Sequence, residues 1–171
     1  MSYIVKIGTT EAIWNDNHPI PEGFVEYIGE LTDDLIWGDD VNNLRQRSAS
    51  ESLAAKRLKR VSEINVERDR REQSTFTYMS KQVQCDPISV QRISVAAATA
   101  QMALAASVPY SVDWSCADNS ILSLDALGVL GMMQALGAHG IAIHYYARTL
   151  KDQVAVSSDP ESIDILTGWP S

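Results

Sequence analysis

The histidines of this sequence are its best candidates for moving a proton or binding a metal. His139 and His144 are five residues apart in a stretch with helical character, which turns them about 140° apart around the helix axis. They therefore cannot ligate one metal ion from the same face. We expect one of them to be partly exposed and the other to be hydrogen-bonded within the packed layer, with proton transfer as the alternative. His18, in a turn beside Pro19, is expected at the surface.

Familiar catalytic signatures are missing from the sequence. It contains no nucleophile elbow, no phosphate-binding glycine loop and no zinc-protease helix motif. The pairs Asp33-Asp34 and Asp39-Asp40 could hold a divalent cation, but they lack the calcium-loop pattern and are interpreted as solvated turns. We therefore predict a protein that is not an enzyme, with no catalytic residues, no cofactor and no metal. The alternative is an enzyme acting on a surface polymer, which would need two carboxylates facing a cleft.

Charge and cysteine content restrict the partners and the redox chemistry. The net charge of −8 argues against nucleic acid and anionic lipid as partners. Cys85 and Cys116 are too few for a disulfide framework or a metal site. We interpret both as buried and reduced, while a bridge between them stays open.

Basic residues are concentrated in one predicted helix. No aromatic residues alternate with them, so base stacking is unsupported and the pattern indicates a charged, solvated helix face. The residues are Lys56, Arg57, Lys59, Arg60, Arg68, Arg70 and Arg71.

The apolar stretch 121–150 is interrupted by Asp125, His139, His144 and four glycines, which favours a core helix over a membrane span. The first seven residues do not resemble a secretory signal, so synthesis in the cytoplasm is expected. The glycines cost about 1 kcal/mol each in a helix. We therefore predict that Gly128, Gly131, Gly137 and Gly140 lie against another backbone, that of an alanine-rich helix.

Start and stop signals divide the chain into elements. Ser48 and Glu51 have capping-box spacing and begin a helix that runs to about residue 73. Asp86 and the following proline begin a second helix, to about residue 107. Ser123 or Asp125 caps a third, to about residue 156. Alternating β-prone residues predict one hairpin over 75–85 and another over 110–124.

These elements predict an α+β fold, in which two short β-hairpins pack with two or three long helices. Residues 1–45 form a small β-rich attachment segment, with strands at 3–7 and 24–28, and residues 46–171 form the α+β domain. No repeat or sustained coiled-coil heptad run is present, so a long fibrous shaft is not expected.

Large aromatic residues are the candidates for partner contact, because they bury much area at protein interfaces. Trp114 in the second hairpin is expected in the core. For Trp37 and Trp169 core contact is the alternative to partner contact. The predicted partner-binding residues are Trp14, Phe24, Tyr27, Trp37 and Trp169.

A series of residues between 53 and 170 follows the order of one domain family. They are Arg57, Glu63, Arg68, Phe76, Tyr78, Asp86, Ser89, Arg92, Ile93, Trp114-Ser115-Cys116-Ala117-Asp118-Asn119, Leu127, His144, Ala147 and Arg148. This order resembles an uncharacterised domain family of bacteriophage tail-region proteins, often encoded beside tail fibres. The first 45 residues do not match it and are predicted to determine attachment.

The resemblance implies a structural component of a virion tail, in a fibre, a baseplate or a fibre attachment, that docks on other tail proteins. Rotational symmetry of tails implies a homo-oligomer. No nucleic acid and no membrane are expected as partners. The alternative is a tail fibre assembly chaperone that is absent from the mature virion.

Overall fold

A computed structural model describes residues 2–9, 11–15, 18–37 and 44–170. The chain forms two compact units, residues 1–56 and 57–171. The predicted domain division at residue 45 stays a prediction, because units defined by contacts need not coincide with independently folding domains.

The first unit is strand-rich, and its strands are antiparallel. Three of them form a sheet in the order β2-β1-β3 and the other two form a separate pair. The strands predicted at 3–7 and 24–28 are confirmed. They form where β-branched and aromatic residues lie between turn residues. The strands are β1 (Ser2–Lys6), β2 (Ala12–Trp14), β3 (Phe24–Ile28), β4 (Leu35–Trp37) and β5 (Leu44–Gln46).

The capping box at the start of the first helix is confirmed. The backbone N–H of Ser48 donates to Glu51 Oε2 at 2.8 Å, and the N–H of Glu51 donates to Ser48 Oγ at 3.3 Å. Arg45 adds two hydrogen bonds to the same carboxylate, at 2.8 and 2.7 Å. The Arg45 guanidinium, followed by the Ser48 bonds, holds the pKa of Glu51 far below its usual range.

The predicted α+β fold is confirmed by the helices and the two antiparallel hairpins that follow. The elements are α1 (Ala49–Glu72), β6 (Thr75–Tyr78), β7 (Lys81–Gln84), α2 (Pro87–Ala105), β8 (Ser111–Ser115), β9 (Ile121–Asp125), α3 (Ala126–Val156) and a short 3-10 helix (Pro160–Ser162).

Local signals fix the ends of these elements. Asp86 Oδ1 accepts the free N–H groups of Ile88 and Ser89 at 3.0 and 3.1 Å, as an N-cap does. Asp125 caps α3 by accepting the N–H of Gly128 at 2.7 Å. Ser123, the alternative cap, instead donates to a carboxylate across the hairpin.

Helix α3 takes part in two apolar clusters. Its first half packs with both hairpins and α2, and its second half packs with α1 and the segment after the helix. The buried residues of the first cluster are Phe76, Val83, Cys85, Ile93, Ala97, Ala100, Leu124, Ala126, Val129 and Met132. Those of the second are Ile64, Ile143, Ala147, Leu150, Val154, Ile165 and Trp169.

Among the described residues, α3 is the one helix long and apolar enough to cross a membrane, judged by length and composition alone. Core helices of soluble proteins meet the same criteria. The interpretation of this stretch as a core helix stays a prediction, supported by its buried residues in both clusters.

The expectation for the α3 glycines is wrong. A Cβ placed at Gly137 or Gly140 would meet no described atom within 4 Å, so these two face open space. A Cβ at Gly131 would lie 2.7 Å from the Tyr78 hydroxyl, and one at Gly128 would meet side-chain atoms of the hairpin. Side-chain atoms of the hairpins therefore approach Gly128 and Gly131 closely. The nearest atoms at these glycines do not belong to the backbone of a neighbouring helix.

Replacing Gly137 with alanine is expected to raise the free energy of unfolding by about 0.5–1 kcal/mol, because alanine loses less backbone entropy in a helix. Urea denaturation followed by circular dichroism measures it. Gly131→Ala is the matched control and should not stabilise, because its methyl group would displace the Tyr78 hydroxyl from its 2.8 Å bond to the Gly128 carbonyl. A loss of stability for Gly137→Ala would contradict the open environment.

Candidate functional site

Three arginines of α1 bind backbone carbonyls of residues 157–170, which we call the 157–170 segment. Arg57 donates to the carbonyl of Ser157 from Nε at 3.3 Å and from Nη2 at 2.8 Å. Arg60 donates to the carbonyls of Glu161, at 3.2 Å, and of Ile163.

The third of these arginines, Arg71, donates to the Leu166 carbonyl at 2.7 Å and also to Glu67 Oε1 at 2.6 Å. The prediction of a wholly solvated basic face is therefore wrong for Arg57, Arg60 and Arg71. It failed because periodicity within one helix does not show a segment about 100 residues later in the chain.

Trp169 lies in the second apolar cluster, where 9% of its surface is exposed. Its indole N–H donates to the Ile165 carbonyl at 2.9 Å. Its ring packs edge-on against Tyr146 at 5.0 Å, and the Arg71 guanidinium lies 5.4 Å from the ring centroid. Of the two alternatives for Trp169, core contact and partner contact, the geometry supports core contact.

The other predicted partner-binding residues lie in the first unit. Trp14 is 49% exposed, and its ring meets Tyr3 edge-on at 5.4 Å. Tyr3 pairs with Trp14 on one side and with Tyr27 on the other, so the three rings share one face of the sheet. We call Trp14, Tyr3 and Tyr27 the aromatic row.

Phe24 and Trp37 do not belong to that row. Phe24 is half-buried and pairs with Lys6, which places it on the opposite face of the sheet. The Trp37 indole N–H donates to the Thr9 carbonyl at 2.7 Å, so its polar atom is satisfied within the unit. Partner contact by Trp14, Phe24, Tyr27, Trp37 and Trp169 stays a prediction.

The histidine expectation is half confirmed. His144 is exposed and its Nε2 lies 2.6 Å from Glu72 Oε1. His139 is buried as expected, with its ring 6.1 Å from that of Phe76, but neither of its ring nitrogens makes a hydrogen bond of normal geometry among the described residues. The predicted hydrogen bond is therefore not formed with normal geometry, although the Arg71 backbone lies close enough to favour the protonated ring.

Glu72 is the residue that sequence reasoning missed at this position. It ends α1, and its carboxylate contacts His144 and lies 4.0 Å from the Arg68 guanidinium. The available signal was the four-residue spacing of Arg68 and Glu72, but nothing in the sequence shows that α1 ends beside the middle of α3.

Burial lowers the pKa of His139, and the nearby Arg71 backbone and Glu72 carboxylate offset that effect only in part. The imidazole is therefore neutral at pH 7. A neutral, enclosed ring cannot exchange protons with a substrate without an opening of the packed layer.

A surface groove of about 620 Å³ lies beside the exposed histidine. Its charged lining is basic, and no carboxylate pair lines it within the described part of the chain. The lining residues are Arg68, Ile141, His144, Tyr145, Ala147, Arg148 and Lys151.

Metal-ligating residues are dispersed in the parts of the chain that the structure describes, where no three of them are close enough to hold an ion. Asp34 Oδ1 accepts the Ser52 hydroxyl at 2.8 Å and lies 3.8 Å from Arg47. Asp39 and Asp40, from the second predicted acidic turn, lie outside the described residues.

Both cysteines are free and buried. Burial raises the pKa of the Cys85 thiol, and the negative charges of Asp86 and Glu72 raise it further. The reactive thiolate is therefore scarce at neutral pH.

Comparison with known proteins decides the family. The family model described as a domain of unknown function (DUF4376) matches residues 54–167, two thirds of the chain. The chain belongs to the DUF4376 family. The DUF4376 region covers most of α1, both hairpins, α2, α3 and the carbonyls bound by the arginines. It nearly coincides with the predicted range of 53–170, but the match carries no statement about bacteriophage tails.

No curated protein and no solved structure matches the chain significantly. The DUF4376 family has no assigned function, so membership identifies the domain but does not indicate an activity.

Proposed function

We propose that this DUF4376 protein is a structural, non-enzymatic component of a bacteriophage tail that docks on another tail protein. The observation that carries docking is the aromatic row, in which Trp14 is 49% exposed beside Tyr3. Rigid rings held in register by a sheet lose little entropy on binding, and tryptophan and tyrosine are the usual anchors of interfaces.

The polar groups of the DUF4376 region support a structural role. Arg57, Arg60 and Arg71 are engaged by backbone carbonyls, and Glu72 is engaged by His144. Groups held in this way stabilise the domain.

Assignment to a tail rests on the resemblance of residues 53–170 to tail-region proteins, in particular the stretch from Trp114 to Asn119. Docking in the tail, baseplate or fibre attachment would bury the aromatic row of the unmatched first unit. Assembly as a homo-oligomer would follow from the rotational symmetry of tails.

Quantitative mass spectrometry of purified particles tests this proposal. We expect the wild-type chain at a fixed ratio to the other tail proteins. Loss of an interface anchor typically costs about 2 kcal/mol, or roughly 30-fold in affinity, so Trp14→Ala should deplete the chain from particles. Ile13→Ala is the matched control, since this neighbour is 56% exposed on the opposite sheet face and should be retained.

Thermal unfolding of each variant verifies that it is folded. Presence in infected-cell lysate with absence from particles would overturn the proposal in favour of an assembly chaperone. Equal depletion by both substitutions would contradict docking through the aromatic row.

A further inference from the structure

Helix α2 carries a row of large apolar side chains on the side turned away from the core. Ile88, Val95 and Met102 are 61%, 61% and 64% exposed, and they follow one another at intervals of seven residues. The residues buried against α3 and the hairpins lie on another side of the same helix. We call Ile88, Val95 and Met102 the α2 outer face.

The spacing of this face is that of a helix-pairing seam. Seven residues fall about 20° short of two full turns of an α-helix. A row at seven-residue intervals therefore stays in contact with a second helix that winds slightly around the first. Ala98, between Val95 and Met102, and Ala105, just after Met102, are small and exposed. Small residues at these positions allow a neighbouring helix to approach closely.

A face without acidic residues is where two copies of this acidic chain repel each other least, so we take a second copy as the occupant. The whole chain carries −8, which opposes self-association. Arg92 is the one ionisable side chain of α2, so this face avoids that repulsion. A membrane surface is a poorer occupant, because interfacial helices flank their apolar face with several basic residues.

The position of Arg92 selects the orientation. In an antiparallel pair centred on Val95, Ile88 lies opposite Met102 of the second copy and Arg92 lies opposite Ala98. The two Arg92 positions are then separated by about 9 Å along the axis, at 1.5 Å per residue. A parallel pair would place them side by side. Antiparallel helix dipoles also attract each other.

We propose that the α2 outer face pairs with the same face of a second copy, antiparallel, around a twofold axis through Val95. The helix is about 28 Å long, and a single pair of such helices lies at the low end of interface size, below about 1,200 Å² in total. The dimer is therefore reversible and forms in the micromolar range. This inference does not depend on the tail assignment.

Analytical ultracentrifugation of the full chain tests the interface. The wild-type chain is expected to shift from monomer to dimer between about 1 and 100 µM, which brackets interfaces of this size. Val95→Asp should remain monomeric throughout, because it places two carboxylates on the axis. Ile141→Asp is the matched control: Ile141 is 74% exposed on α3, and this variant should dimerise like wild type.

Circular dichroism confirms that each variant is folded. A wild-type chain that stays monomeric at 100 µM would overturn the proposal. So would dimerisation that Val95→Asp leaves intact.

Oxidative cross-linking tests the orientation. Val95→Cys should form a covalent dimer, because a residue on the axis meets its own copy. Ile88→Cys alone should not, since the two sites lie about 21 Å apart along the axis, beyond the reach of a disulfide. A mixture of Ile88→Cys and Met102→Cys chains should cross-link.

Wild-type chain is the background control, because its two cysteines are buried. Efficient cross-linking of Ile88→Cys by itself would overturn the antiparallel arrangement.

Discussion

Replacing Trp169 with alanine is expected to lower the free energy of unfolding by about 3–5 kcal/mol, the usual cost of removing a buried indole. The substitution empties the space between Tyr146 and Arg71 and removes the hydrogen bond to the Ile165 carbonyl. Since the 157–170 segment is held partly by this side chain, its amide hydrogens should also exchange faster. Urea denaturation and hydrogen exchange measure the two effects.

Leu166→Ala is the control for this experiment, because Leu166 belongs to the same segment but is 63% exposed. Its effect should stay within about 0.5 kcal/mol, as for most surface substitutions. An equally small effect of Trp169→Ala would contradict core placement and favour partner contact for Trp169.

Stability is expected to fall as the pH is lowered from 7.5 to 5.5, because of His139. Burial lowers its pKa below the ordinary value of 6.5, so the unfolded chain binds the proton more tightly than the folded one. The stabilisation is complete above the unfolded pKa and is lost as the pH falls through it towards the folded pKa. One such group changes the free energy of unfolding by at most about 1.4 kcal/mol per pH unit.

Denaturation curves at a series of pH values measure this dependence. His139→Met should remove it, since methionine fills the same apolar space and does not titrate. His144→Gln is the matched control on the same helix and should retain it. Acidic groups act in a lower range. Hydrogen bonds from Arg70 and then Arg71 lower the pKa of Glu67 from 4.5 to about 2, so its stabilisation is lost gradually as the pH falls from 4.5 towards 2. Unchanged pH dependence in His139→Met would exclude His139 as the cause.

Features encoded within a few residues could be predicted. Ser48 with Glu51, and Asp86 before a proline, fix helix starts by hydrogen bonds between near neighbours, so their spacing suffices. The hairpins also follow from local alternation between turns. The β6–β7 turn shows that residue type only biases the backbone conformation. Met79 and Ser80 both have positive φ, at 47° and 63°, although neither is a glycine.

Features that join distant parts of the chain could not be predicted. A basic stripe on α1 has the same periodicity whether it faces water or the carbonyls of the 157–170 segment. Likewise, the contact of Glu72 with His144 requires knowing how α1 packs on α3. The expectation for the glycines of α3 fails for a similar reason, because composition does not show which turns of a helix are covered.

The binding of the 157–170 segment by α1 has a consequence for biosynthesis. Arg57 and its acceptor at Ser157 are 100 positions apart. At translation rates of about 5–20 residues per second, the helix waits roughly 5–20 s before the acceptor is made. Until that stretch has left the ribosome, the apolar side of the nascent helix around Ile64 is covered at most in part, by α3, and is a natural binding target for chaperones.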